Sequence, residues 1–132
     1  MRALIFILVG FLIGAVGAVM AVNALNKGSE FPRGVMAVEG AHFGALYKLA
    51  KENRCDAASV QKELLPMRII ATDIETSFKV DTENDQEFIR YAADLRRVLD
   101  LQLAKRIDNC ADLNTGISAI KQACDNCHRD YK

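Results

Sequence analysis

At 132 residues the chain fits one small globular domain and leaves no room for a second of ordinary size. Lys and Arg together number 17, as do Asp and Glu, so the formal net charge is zero. That balance, with no basic stripe along the sequence, argues against nucleic acid as a partner, because phosphate binding needs clustered positive charge.

After Arg2, residues 3–22 (ALIFILVGFLIGAVGAVMAV) hold seventeen apolar residues, three glycines and no charge. This is the shape of an export signal or of a membrane anchor. The run exceeds the roughly 7–15 apolar residues usual for a cleaved signal and matches what a bilayer requires. Val22 and Ala24, on the other hand, offer modest residues for cleavage after Ala24. Gly10, Gly14 and Ala18 recur every fourth residue, a spacing that lets two apolar helices approach closely. Residues 1–26 are therefore expected to be a signal peptide or anchor, and residues 27–132 a domain in the periplasm, where thiols oxidise.

From residue 29 onward apolar positions repeat at helical spacing, and four helices are expected. The first opens near Ser29, tolerates Pro32 in its first turn, places Met36, Gly40, Phe43, Tyr47 and Ala50 on one face, and stops near Asn53. A second follows the N-cap Asp56, with Val60, Leu64, Met67, Ala71, Ile74 and Phe78 inward, and a kink or late start at Pro66. After the loop KVDTEND, Asn84 and Glu87 read as a capping pair for a third helix carrying Phe88, Tyr91, Ala92, Leu95, Leu99 and Leu103 to about Ile107. The last helix, from about Asp112, aligns Leu113, Ile117, Ile120, Cys124, Cys127, His128 and Tyr131. Four helices, each about 30 Å long and joined by short connections, predict an all-α, antiparallel up-down-up-down four-helix bundle behind the hydrophobic N-terminal helix.

The chemistry lies at the end of the last helix. Cys124, Cys127 and His128 form C-x-x-C-H, the attachment signature of c-type haem. Positions i, i+3 and i+4 share one face of a helix, so two thioether bonds and an axial imidazole can meet one porphyrin. A thioredoxin-like dithiol would need a βαβ context that this sequence lacks. A zinc site from Cys110, Cys124, Cys127 and His128 would need adjacent ligands in awkward geometry.

On these residues the domain resembles the class II c-type cytochromes, meaning cytochrome c prime and its low-spin six-coordinate relatives, over roughly residues 29–132. In that family C-x-x-C-H sits near the C-terminus of a four-helix bundle. The family's aromatic and basic residues after the histidine are matched by Tyr131 and Lys132, and FPRGVMAVEGAHFGAL resembles its first helix. The resemblance implies covalent haem c with His128 as the proximal iron ligand and Met36 as the distal iron ligand or distal-site residue. It also implies a proximal place for Lys132 and frequent pairing as a homodimer. Where the family often has an arginine near a propionate, this chain has Pro32. Phe88 and Tyr91 are core aromatics that are candidates for packing on the haem. His42, six residues from Met36, falls on a different side of the helix and is expected to lie at the surface or to be satisfied elsewhere.

Two cysteines remain, Cys55 between helices one and two and Cys110 between helices three and four. An up-down-up-down bundle brings those connections to the same end, which predicts a disulfide. Two functions of different class follow: a one-electron carrier serving redox partner proteins, or a five-coordinate protein binding a small gas such as nitric oxide or carbon monoxide. With no separate acid, base or substrate pocket in the sequence, it is not expected to be an enzyme. The two readings of the N-terminus separate on the native start: Leu25 marks a cleaved signal, Met1 an anchor.

Overall fold

The computed structural model describes residues 2–26, 30–81 and 83–131, with side chains over 7, 10–23, 30–81 and 83–131. Among these residues there are helices and no strands: α1 (Arg2–Asn26), α2 (Glu30–Lys51), α3 (Ala57–Ile70), α4 (Ile74–Phe78), α5 (Gln86–Lys105) and α6 (Cys110–Asp130). They divide into two compact units, residues 1–31 and 32–132. In the first unit the described side chains of α1 are exposed. Among the described residues no helix is long and apolar enough to cross a membrane.

The second unit is the expected four-helix bundle, α2, α3 with its short successor α4, α5 and α6. Its packed centre draws Leu46 from α2, Val60, Leu64 and Met67 from α3, Leu99 from α5, and Leu113 and Ile120 from α6, all essentially fully buried. Each such side chain contributes roughly 1.5–3 kcal/mol by leaving water. Asp56 caps α3 by accepting a hydrogen bond from the Ser59 amide at 2.9 Å. Asn109 does the same for α6 from the Asp112 amide at 2.9 Å, so that helix begins at Cys110, two residues before the expected start.

Three local expectations change. Pro66 lies inside α3 and neither delays nor ends it; the break comes later, at Ala71–Asp73. There the Thr72 hydroxyl donates to the Ile69 carbonyl at 2.6 Å, and Arg96 on α5 donates to the Ala71 carbonyl at 3.2 Å while forking onto Glu75 at 2.7 Å. The interrupted helix thus has its Ile69 carbonyl satisfied within the break and its Ala71 carbonyl from α5, a tertiary contact that helical periodicity alone does not reveal. At α5 the N-cap is Asp85 rather than Asn84, whose amide instead donates to Asp81 at 2.6 Å.

The third change concerns α2. Its packed residues are Val35, Glu39, Leu46 and Leu49, whereas Met36 and Phe43 of the expected stripe are half-buried and Tyr47 is exposed. The apolar face of α2 is wide enough to serve two surfaces, the packed core and, beside it, the wall of a cavity. Phe78, expected inward, is likewise 42% exposed and stands at that cavity.

Cys55, just before α3, and Cys110, the first residue of α6, are joined by a disulfide with Cα atoms 5.1 Å apart and a sequence separation of 55. It ties the α2–α3 connection to the start of α6. Closing a loop of that length stabilises by about 4 kcal/mol in the chain-entropy account. The double substitution Cys55→Ser, Cys110→Ser is therefore expected to lower the midpoint of thermal unfolding of the haem-loaded protein by more than about 10 °C. Circular dichroism melts of the two proteins side by side measure it.

Candidate functional site

The bundle encloses a cavity of about 580 Å³, within the range of cofactor-sized sites. α2 contributes Met36, Glu39, Gly40 and Phe43 to its lining. α3 and α4 add Met67, Ile74 and Phe78, α5 adds Phe88, Tyr91, Ala92 and Leu95, and α6 adds Cys124, Cys127 and His128 among others. Cys124, Cys127 and His128 share the face of α6 that their spacing predicts, and Met36 lines the same cavity from α2. His42 is not among the lining residues: its Nδ1 stands 2.8 Å from Oε2 of Glu63. Gly40, one turn past Met36, leaves open space where a side chain would stand.

Cys124 and Cys127 are free thiols, in contrast to the bonded Cys55 and Cys110. The disulfide occupies Cys110 and so removes it from the four-ligand zinc set. Among the described residues no group of three or more His, Cys, Asp and Glu is placed to hold a metal ion. Burial, reinforced by the nearby Glu39 carboxyl, pushes the Cys124 thiol up to about 11. Burial raises Cys127 as well, with the Asp130 carboxylate adding to it. Both sulfurs are therefore protonated at neutral pH and mute as thiolate nucleophiles.

Phe88 and Tyr91 are both buried at the cavity wall. Phe88 packs edge-on against Tyr131, ring centroids 5.1 Å apart, and against Phe78 at 5.3 Å. Tyr91 meets Tyr131 at 6.2 Å and donates its hydroxyl proton to Asp130 at 2.5 Å, while Arg129 donates to the hydroxyl oxygen at 3.3 Å. The Asp130 hydrogen bond and, after it, burial hold the Tyr91 phenol above its ordinary range. This aromatic and ionic group fixes the last turn of α6, the turn that carries Cys127 and His128. Lys132 lies outside the described residues.

The sequence reading missed Glu39. It is 7% exposed, both carboxyl oxygens lack a hydrogen-bond partner, and burial pushes it up to about 7. Its signal is visible in retrospect: it is the lone charge in GVMAVEGA, three residues after Met36.

Two solved structures share this architecture. Cytochrome c′ from Rubrivivax gelatinosus superposes with a TM-score of 0.65 at 16% identity, covering 80% of this chain and 94% of the other. A nitric oxide complex of a mutant cytochrome c prime from Alcaligenes xylosoxidans gives 0.68 at 12% identity, covering 81% and 94%. The domain has the cytochrome c′ fold. A scan against models of protein families finds no match, and neither does a search of curated proteins.

The residues at the cavity of this cytochrome c′ fold suit a haem on the chemistry of the donor set: two unpaired thiols and an imidazole on one helical face, opening on a largely apolar space of cofactor size. Tyr91→Phe is expected to leave the fold intact and to raise amide hydrogen exchange at residues 127–131, because the tie between α5 and the end of α6 is lost. Mass-spectrometric exchange on parent and variant reads this directly.

Proposed function

We propose that this chain is an exported c-type cytochrome that carries single electrons between redox partner proteins. One observation carries the reading: Cys124, Cys127 and His128 line the same cavity as Met36, so thioether anchors and an axial ligand from α6 share a space with a second sulfur donor from α2. Haem, when bound, supplies the one-electron iron couple. Cys124 and Cys127 then hold it as thioethers, and His128 offers its imidazole to the iron as proximal ligand. Met36 offers its thioether as the distal ligand, a soft donor that favours the reduced state. Phe88, Tyr91 and Tyr131 line the same cavity as His128 and give that part of it an aromatic wall. In this reading residues 1–26 are the export signal and residues 27–132 a periplasmic haem domain, able to pair as a homodimer, with electron transfer rather than enzymatic turnover as its role.

A second reading is favoured by one finding: the Alcaligenes xylosoxidans relative is a nitric oxide complex. In that reading Met36 screens an open iron, and a small gas such as nitric oxide or carbon monoxide takes the sixth position.

Spectra separate the two. The ferric protein is expected to be low-spin with the weak near-infrared sulfur-to-iron band, and its ferrous form to bind carbon monoxide slowly or not at all. Met36→Ala should abolish the band and admit carbon monoxide. A high-spin ferrous spectrum with ready carbon monoxide binding in the parent protein would establish the gas-binding role instead.

A further inference from the structure

Among the described residues, Glu39 holds the buried side-chain oxygens that have no hydrogen-bond partner, and it holds them at the wall of the cavity described above. A buried carboxyl without donors is unfavourable in its ionised form unless positive charge stands nearby. Among the described residues the bundle supplies none that shifts it. Lys121 lines the cavity but is engaged with Asp125. Asp130 is engaged with Tyr91 and Arg129. α3 and α4 present Met67, Ile74 and Phe78, which carry no charge, and the α2 neighbours of Glu39 at the cavity are Met36, Gly40 and Phe43.

We propose that Glu39 is the proton acceptor that accompanies reduction of the haem, a role that rests on the haem reading given above. The balance is simple. In the oxidised state the ferric centre carries one positive charge more than the ferrous, and the Glu39 carboxylate, at the wall of the same largely apolar cavity, would feel that charge with little screening. A one-electron donor protein delivers one electron to the iron, the extra positive charge is gone, and the carboxylate takes one proton from solvent to become a neutral carboxyl. Reoxidation returns the electron to the acceptor protein and the proton to solvent.

Other titratable groups facing the cavity do not substitute for Glu39 near neutral pH. Cys124 and Cys127 lose their titratable protons as thioethers, and His128 is held at the iron. Tyr91 is raised above its ordinary range by Asp130, and Tyr131 by burial. Glu39 itself is pushed by burial to about 7, so the window opened by the change in iron charge lies around neutrality. The sign follows from linkage: the reduced state binds the extra proton, so raising the pH disfavours reduction.

The test is spectroelectrochemical titration of the exported, haem-loaded protein and of its Glu39→Gln variant from pH 5 to 9. The parent's midpoint potential is expected to fall with rising pH around neutrality, by up to about 59 mV for each tenfold change in proton concentration. In Glu39→Gln that fall should be lost. An equal slope in both proteins overturns the proposal, since it would belong to another group, such as a haem propionate. Redox-difference infrared spectra of the unmodified protein near pH 7 give a second reading that needs no variant. A protonated carboxyl stretch that appears on reduction and shifts in deuterium oxide is expected, and its absence overturns the proposal. A normal haem spectrum with a pH-independent potential refutes the role of Glu39 alone; an exported protein without covalent haem refutes the cytochrome reading as well.

Discussion

Residues three and four apart on an α-helix stand on one face, and the bundle is organised around the face of α6 that bears Cys124, Cys127 and His128. A haem held at those positions in the way proposed above would have little freedom left. The other helices must therefore leave room along that face rather than pack onto it. They do so unevenly. α2 packs its Val35, Leu46 and Leu49 into the core and turns Met36, Gly40 and Phe43 to the cavity, while α5 brings Phe88 and Tyr91 to the same wall.

Holding that face still is a problem of helix ends, because α6 stops at Asp130, just past His128. The terminal turn is tied from the side by the Tyr91 hydroxyl, the Asp130 carboxylate and the Arg129 guanidinium, and by the edge-on contact of Tyr131 with Phe88. At the opposite end of α6 the Cys55–Cys110 bridge fixes its first residue to the α2–α3 connection. The helix is thus constrained at both ends. The two pairs of cysteines divide the work: one pair closes the chain, and the other is left unbridged at the cavity.

Much of this is legible in the sequence, because helical periodicity and the C-x-x-C-H spacing are local properties. Four amphipathic stretches, the Asp56 cap and the face shared by Cys124, Cys127 and His128 need no knowledge of neighbouring helices. What periodicity cannot see is tertiary. The break at Ala71–Asp73 depends on Arg96, twenty-five residues from Ala71, reaching its carbonyl. The face of α2 was misjudged by one position because a helix bordering both a core and a cavity has two apolar stripes side by side. Glu39 escaped notice for the opposite reason: a charge inside an apolar helix reads as solvent-facing until the structure shows it buried.

The whole arrangement turns on a haem carried covalently by the last helix. Peptide mapping of the exported protein, digested without reduction and sequenced by tandem mass spectrometry, tests it most directly. One haem is expected on the peptide containing Cys124 and Cys127, through both sulfurs, with Cys55 and Cys110 joined to each other in a separate pair of peptides. Cys124 and Cys127 recovered as free thiols, or joined to each other without haem, would contradict it.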